Sequence, residues 1–389
     1  MAKVLYFLKL ISTFASEMTG LYIHIPFCAS RCVYCGFYST TLPTLRDAYV
    51  DALCQELTLR AEELPADEAI TTIYLGGGTP SQLTTDQLDR LFSYIYKVYR
   101  PQPVEVTMEC NPDDITPAFA DWIAQSPIDR ISMGAQTFSD DRLLRRRHTA
   151  AEVRRATTLL RQAGIRNISI DLMFGFPGET LADWEQDIDE ALRLGVEHIS
   201  AYSLMYEEGT TLHRWLSEGR IQEIDDDLSL RMYDCLVDRL TAAGYRHYEI
   251  SNFALPQRES RHNSSYWRDV PYMGLGASAH SFDGRQRSWN VADIETYIAA
   301  IGRGERPCTV EALDLDTHYE DVVLTSLRTA EGIDLGKIRR DFGSQRLDFL
   351  LAAADQDLRQ GYLVREDDHL RLTRRGIYLS DGITARLFV

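Results

Sequence analysis

The chain is short of basic residues, of long apolar runs and of paired cysteines, and each shortage excludes a class of protein. Lys and Arg number 41 against 58 Asp and Glu, a formal net charge of −17 over 389 residues. A surface of that sign repels a phosphate backbone, so no nucleic acid is expected as a partner. No segment approaches the roughly 20 apolar residues that a membrane-spanning helix needs. Residues 1–17 are faintly apolar, but Lys9 interrupts them and no small-residue cleavage site follows. They are expected to be a non-native N-terminal extension ahead of Met18. There are no internal repeats and no low-complexity tracts. Of seven cysteines, Cys54, Cys110, Cys235 and Cys308 are scattered, which is not the pattern of a secreted disulfide framework. A reducing, cytoplasmic setting is expected instead, with the scattered thiols acting as small buried hydrophobes.

The remaining three cysteines, Cys28, Cys32 and Cys35, stand in the run C-A-S-R-C-V-Y-C directly after the apolar stretch L-Y-I-H-I-P-F. A structural zinc site closes with four protein ligands and a disulfide needs two thiols. Three close thiols without a fourth suit an iron–sulfur cube that leaves one iron without a protein ligand, free to bind a small molecule.

Around this loop, apolar β-type runs alternate with amphipathic stretches. Strands are expected at 21–27, 71–75, 104–109, 130–136, 168–175 and 198–204, with helices at 46–63, 85–99, 117–125, 150–163 and 180–194. Gly164 and Gly195 supply helix stops. Six such units predict an α/β fold, a partial or complete (β/α) TIM-type barrel whose site lies at the C-terminal strand ends. The expected organisation is a barrel core over 18–245, a connecting segment over 246–310, and a mainly helical, winged-helix-like domain over 311–389. The acidic face of that last domain favours contact with protein, or with nothing at all, over DNA.

The predicted barrel mouth carries chemistry. Gly76-Gly77-Gly78-Thr79-Pro80 follows the second strand, where missing side chains let backbone approach a bound amine, although tight turns use the same residues. Glu109 and Gln136 end strands three and four, and Asp171 lies within strand five. Each can accept hydrogen bonds from ribose hydroxyls; a solvated or capping role is the alternative for each taken singly. Arg145, Arg146 and Arg147 follow strand four.

The C-x-x-x-C-x-x-C motif, with Tyr34 before its last cysteine, resembles the radical S-adenosylmethionine enzymes. That resemblance implies a 4Fe–4S cluster on Cys28, Cys32 and Cys35, with S-adenosylmethionine chelated to the fourth iron and cleaved by one electron to a deoxyadenosyl radical. It implies contacts to S-adenosylmethionine from Tyr22, Gly77, Gly78, Thr79, Glu109, Gln136, Arg147 and Asp171, with one of Arg145, Arg146 and Arg147 meeting the methionyl carboxylate. More narrowly, Y-I-H-I-P-F-C, G-G-G-T-P, E-C-N-P, S-M-G-A-Q-T-F, D-L-M-F-G-F-P-G, Y-E-I-S-N-F-A and G-L-G-A-S-A-H-S resemble the family that unites oxygen-independent coproporphyrinogen dehydrogenase with the heme chaperones of the HemW type. The dehydrogenase has a fourth cysteine two positions after the third; here that position is Phe37, as in the chaperone branch. His262-Asn263-Ser264-Ser265-Tyr266-Trp267 is similar to the H-N-x-x-Y-W heme-binding motif of the chaperones. It implies His262 as an axial ligand and Tyr266 and Trp267 as flat surfaces for a porphyrin, although a His beside aromatics is more often structural.

The leading expectation is therefore a heme chaperone that passes heme to respiratory heme proteins, some of them at membranes. The cluster and S-adenosylmethionine would be retained to control dimerisation to a homodimer or the transfer step, and no residue is assigned a catalytic role. The alternative is an enzyme, oxidative decarboxylation of coproporphyrinogen III to protoporphyrinogen IX. A radical enzyme acting on RNA is disfavoured by the charge. His24 and His280 lie in family motifs, with hydrogen-bonded structural roles expected for both.

Overall fold

The computed structural model describes residues 19–64, 69–140 and 147–389. The expectations for residues 1–17, Arg145 and Arg146 therefore lie outside the described residues. Six parallel strands form the framework: β1 (Thr19–Ile25), β2 (Ile70–Gly77), β3 (Glu105–Cys110), β4 (Arg130–Gln136), β5 (Ile168–Phe174) and β6 (His198–Ser203). They pair in sequence order.

The strands alternate with period two, and the two faces differ in chemistry. Ile23, Ile73, Met108, Ile131, Ile170 and Ile199 pack outward in one continuous apolar core with the flanking helices. Their neighbours Tyr22, Thr72, Thr107, Arg130, Asp171 and Ser200 alternate with them and face the other way, and on that face Asp171 accepts from Ser132 and Ser200. The barrel thus has an apolar outer jacket and a polar interior.

The helices start where the sequence offers caps. Thr84 with Gln87, Thr149 with Glu152 and Thr180 with Asp183 each form a reciprocal capping box. Gly195 closes the helix Leu181–Leu194 at φ 61°, the left-handed conformation that a glycine stop provides.

The sheet does not close on its six strands. Beyond β6 it adds β8 (Asn252–Ala254) and β7 (Arg246–Glu249), both antiparallel additions. Beyond β1 it adds β9 (Tyr272–Leu275), β10 (His280–Phe282), β11 (Gln286–Asn290) and β12 (Cys308–Ala312). β9 runs parallel to β1, with Gly20 opposite Tyr272, and β10 to β12 fold back as an antiparallel meander. The result is an open 12-stranded sheet, a partial barrel. A second apolar core, built on Tyr319, Ile338, Leu350 and Leu370, belongs to the C-terminal helices. A small three-stranded sheet accompanies these helices, with β13 (Ile333–Asp334) beside β15 (His369–Leu372) and β14 (Leu363–Glu366). This unit is fastened to the barrel by Arg328 on Glu249 at 2.8 Å and by the Ala330 amide on the Tyr248 carbonyl at 3.0 Å.

Candidate functional site

The cysteine loop leaves the C-terminal end of β1. Its base is pinned by main chain: the Cys28 amide donates to the Thr40 carbonyl at 2.9 Å, and the Thr40 amide to the Pro26 carbonyl at 2.7 Å. Val33 anchors its middle in a small apolar cluster with Met173, Phe176 and Trp215. Cys28 Sγ lies 3.6 Å from Thr79 Oγ1, which sets the first thiol against the Gly-Gly-Gly-Thr turn. Cys28, Cys32 and Cys35 are each partly exposed and none is in a disulfide. Burial pushes the Cys35 thiol above its ordinary value, and a positively charged metal core would reverse that preference. Among the described residues, no three His, Cys, Asp or Glu side chains are gathered closely enough to hold a metal ion. Three thiols outside any disulfide on one pinned loop fit an iron–sulfur core in donor chemistry, and the sulfurs have to draw together to grip it.

Close beside this loop the glycine turn is shaped by what it touches. Gly77 sits at φ 108°, and a Cβ there would lie 2.5 Å from the His24 ring. A Cβ on Gly78 would lie 2.7 Å from the Pro26 carbonyl carbon. Neither position admits a side chain. Glu109 closes the turn from below: it accepts from the Gly77 amide at 3.0 Å and from the Tyr74 hydroxyl at 2.7 Å. Burial, with Asp171 adding to it, raises Glu109 to about 7. Asp171 is raised to about 6 by the same cause, against hydrogen bonds from Ser200 and Ser132. Gln136 lies at a break in the β4–β5 register, with a positive φ of 63°. Tyr22 donates to His24 Nδ1 at 3.0 Å, and its own proton is held tightly by burial. These groups line one polar end of the barrel. Arg147 is turned to carboxylates, pairing with Asp113 and, at 3.0 Å, with Asp114.

Sequence reasoning overlooked one member of this interior. Arg130, at the start of β4, is only 1% exposed, yet its Nε and Nη1 have no hydrogen-bond partner among the described residues. Its charge acts on Glu109, Asp171 and His262 together. Its only signal in the sequence is parity: it shares the inward face of β4 with Ser132.

The H-N-x-x-Y-W segment forms the helix Arg261–Trp267, and the structure divides its residues between two places. His262 is 1% exposed at the other end of the barrel, beneath β1 and β2. Its amide donates to Glu105, its Nδ1 bonds Thr72 Oγ1 at 2.8 Å, and its Nε2 bonds the Tyr266 hydroxyl at 2.8 Å. The ring stacks on Tyr74 at 5.1 Å, and burial lowers its pKa to about 3. As folded here, His262 has no free ring nitrogen for iron. Tyr266 and Trp267, by contrast, line a cavity of about 640 Å³ whose walls also include Phe37, Tyr38, Tyr272, His280 and Phe282. Phe37 and Tyr38 follow Cys35 after a single glycine, Gly36, so the cysteine loop and the cavity share a wall. The helix Leu315–Leu327 contributes Asp321 and Thr325 from the opposite side. The sequence showed Phe37 as a missing cysteine; it gave no sign that this ring borders the same space as Tyr266 and Trp267.

Residues 22–191 match the radical SAM superfamily and residues 313–379 match the HemN C-terminal domain. Fold and motif together define a radical S-adenosylmethionine protein. The chain is 34% identical over 373 residues to the heme chaperone HemW of Bacillus subtilis, covering 94% of this chain and 98% of that one. It is 36% identical over 268 residues to the heme chaperone HemW of Escherichia coli, covering 67% and 69%. The solved structure of coproporphyrinogen III oxidase (HemN) from Escherichia coli shares the fold, with a TM-score of 0.82 at 22% identity over 98% of this chain and 93% of that one. The chain belongs to the HemW-like family of radical SAM proteins. That membership implies a 4Fe–4S cluster and S-adenosylmethionine. No helix among the described residues is long and apolar enough to cross a membrane.

Proposed function

We propose that the protein binds heme in the aromatic cavity beside the cysteine loop and delivers it to heme-requiring proteins, keeping a 4Fe–4S cluster and S-adenosylmethionine as resident cofactors. One observation carries this reading: Tyr266 and Trp267 share a cavity of about 640 Å³ with Phe37 and Tyr38 from the cysteine loop. That volume lies within the range of pockets that enclose a cofactor-sized ligand, and aromatic faces with few charges suit a flat, mostly apolar macrocycle.

Cys28, Cys32 and Cys35 would hold the cluster, which when bound supplies a low-potential electron beside the sulfonium of S-adenosylmethionine. The chain's own part is to hold and orient. Gly77 and Gly78 open backbone to the methionyl end, with Thr79 beside them. Tyr22, Glu109, Gln136 and Asp171 offer hydroxyl, carboxylate and amide groups to the ribose and amine. Arg147 reaches a ligand carboxylate by leaving Asp113 and Asp114. Near neutral pH Glu109 exchanges a proton readily, because its pKa stands at about 7. Tyr266 and Trp267 would offer ring surface to the porphyrin from one wall of the cavity, with His262 fixing the Tyr266 hydroxyl.

Anaerobic reconstitution followed by heme titration tests the reading. Saturable uptake near one heme per chain is expected, with no product from coproporphyrinogen III in the presence of reductant and S-adenosylmethionine. Conversion of coproporphyrinogen, or the absence of heme uptake, overturns it.

A further inference from the structure

We propose that His280, on β10, is the axial ligand of heme iron in this cavity, and that His262 is a positioning residue for Tyr266. The inference rests on the heme-binding reading above and goes beyond it by reassigning the ligand.

The histidines around the cavity are distinguished by what their nitrogens already do. His24 bonds Tyr22 through Nδ1 at 3.0 Å and the Tyr38 carbonyl through Nε2 at 3.2 Å. His262 is occupied by Thr72 and Tyr266, both at 2.8 Å. His318, on the far side, is held by Asp269 at 2.9 Å. His280 lines the cavity, is exposed, and among the described residues has no hydrogen bond to either ring nitrogen. Iron needs an unshared imidazole lone pair, and His280 supplies one without breaking anything. Freeing His262 would strip a buried ring of a hydrogen bond and leave the Tyr266 hydroxyl or Thr72 unpaired. Each such loss costs about 1–3 kcal/mol before any iron bond forms.

His280 is also presented well. Its ring lies on Trp289 in a stacked geometry, 5.8 Å between centroids with 22° between planes, across the β10–β11 pair. Phe282, two residues along on the same strand face, lines the same cavity. The strand itself is clamped from behind. Arg60 donates to the Gly274 carbonyl at 2.6 Å and to Ser281 Oγ at 3.3 Å, and the Gly274 amide bonds Ser281 Oγ at 3.0 Å. A rigid backbone carrying an unengaged imidazole meets the requirement for a ligand position built on a regular element.

The test titrates ferric heme into the full-length, anaerobically reconstituted protein. Binding is followed by absorbance, and the axial ligand by the iron–histidine stretch of the ferrous form in resonance Raman spectra. His280→Ala is expected to lose the histidine signature and to weaken heme binding roughly tenfold or more. His280→Gly is expected to regain the signature when millimolar imidazole is added. His262→Gln is expected to keep the signature while lowering the melting temperature; His280→Ala should melt as the wild type does. A histidine signature that survives in His280→Ala, or that is absent from a heme-loaded wild type, overturns the ligand assignment alone. A wild type that takes up no heme overturns the heme-binding reading with it, so the two failures are distinguishable.

Discussion

Glu109→Gln isolates the electrostatics of the barrel interior. The buried carboxyl is raised from 4.5 to about 7, chiefly by burial and further by Asp171, against the hydrogen bonds from Tyr74 and Gly77. Between those two values the folded protein keeps a proton that the unfolded chain has released. The stability contributed by the protonated group is therefore complete below pH 4.5 and lost as pH rises through 7. The gap corresponds to about 3 kcal/mol in all. Glutamine is neutral at every pH and retains an oxygen that can accept from both partners. Relative to wild type, the variant should gain about 2–3 kcal/mol between pH 5 and pH 8. Titrations elsewhere cancel in the comparison, except that Asp171 loses a repulsive neighbour, which acts in the same direction. Urea unfolding at a series of pH values measures this, with Trp184 as the probe because it is fully buried against Phe174 on β5. A difference between variant and wild type that does not change with pH would falsify the argument, as would one that shrinks on going alkaline.

Further expectations follow from the same geometry. Cys32→Ala should abolish the cluster, read as iron and sulfide per chain after reconstitution, while leaving the thermal melt of the metal-free protein unchanged; full iron loading would refute the ligand set. Glu56→Ala should destabilise the fold by about 3–5 kcal/mol in urea, since a fully buried carboxylate that receives Gly276, Asn290 and Tyr297 leaves them and Arg60 without it. Tyr266→Phe keeps the ring in the cavity but orphans His262 Nε2, so stability should fall by about 1–3 kcal/mol with heme affinity changed only a few-fold. Phe37→Ala removes a ring that is 71% exposed; heme binding should weaken several-fold in the titration, with no change in unfolding midpoint.

The six-strand framework was legible because its strands carry two independent periodicities at once. Ile23, Ile73 and Ile170 mark one face, while Tyr22, Thr72 and Asp171 mark the other, and the capping residues Thr84, Thr149 and Thr180 fix where the helices begin. β9 to β12 were not legible. Each is three to five residues long, too short for a pattern, and β9 finds its place only by pairing with a strand near the N-terminus. The cysteine loop and the Gly-Gly-Gly turn were read from chemistry and spacing. The fate of His262 was not, because a motif lists neighbours in sequence and is silent on which end of a barrel its helix plugs. The same gap hid His280: nothing in G-L-G-A-S-A-H-S distinguishes an imidazole whose nitrogens are occupied from one whose nitrogens are free.

The pairing of β1 with β9 also shapes how the chain is made. β1 sits inside the sheet, flanked by β2 and β9, yet Tyr272 to Leu275 are synthesised some 250 residues after the strand edge they cover. At about 5–20 residues per second, a ribosome leaves that edge open for roughly 12–50 seconds. The exposed edge is the strand that leads into Cys28, so nascent chains pass through a stage in which the cysteine loop has only half of its scaffold. An unpaired strand edge of this lifetime makes early truncation products prone to aggregate.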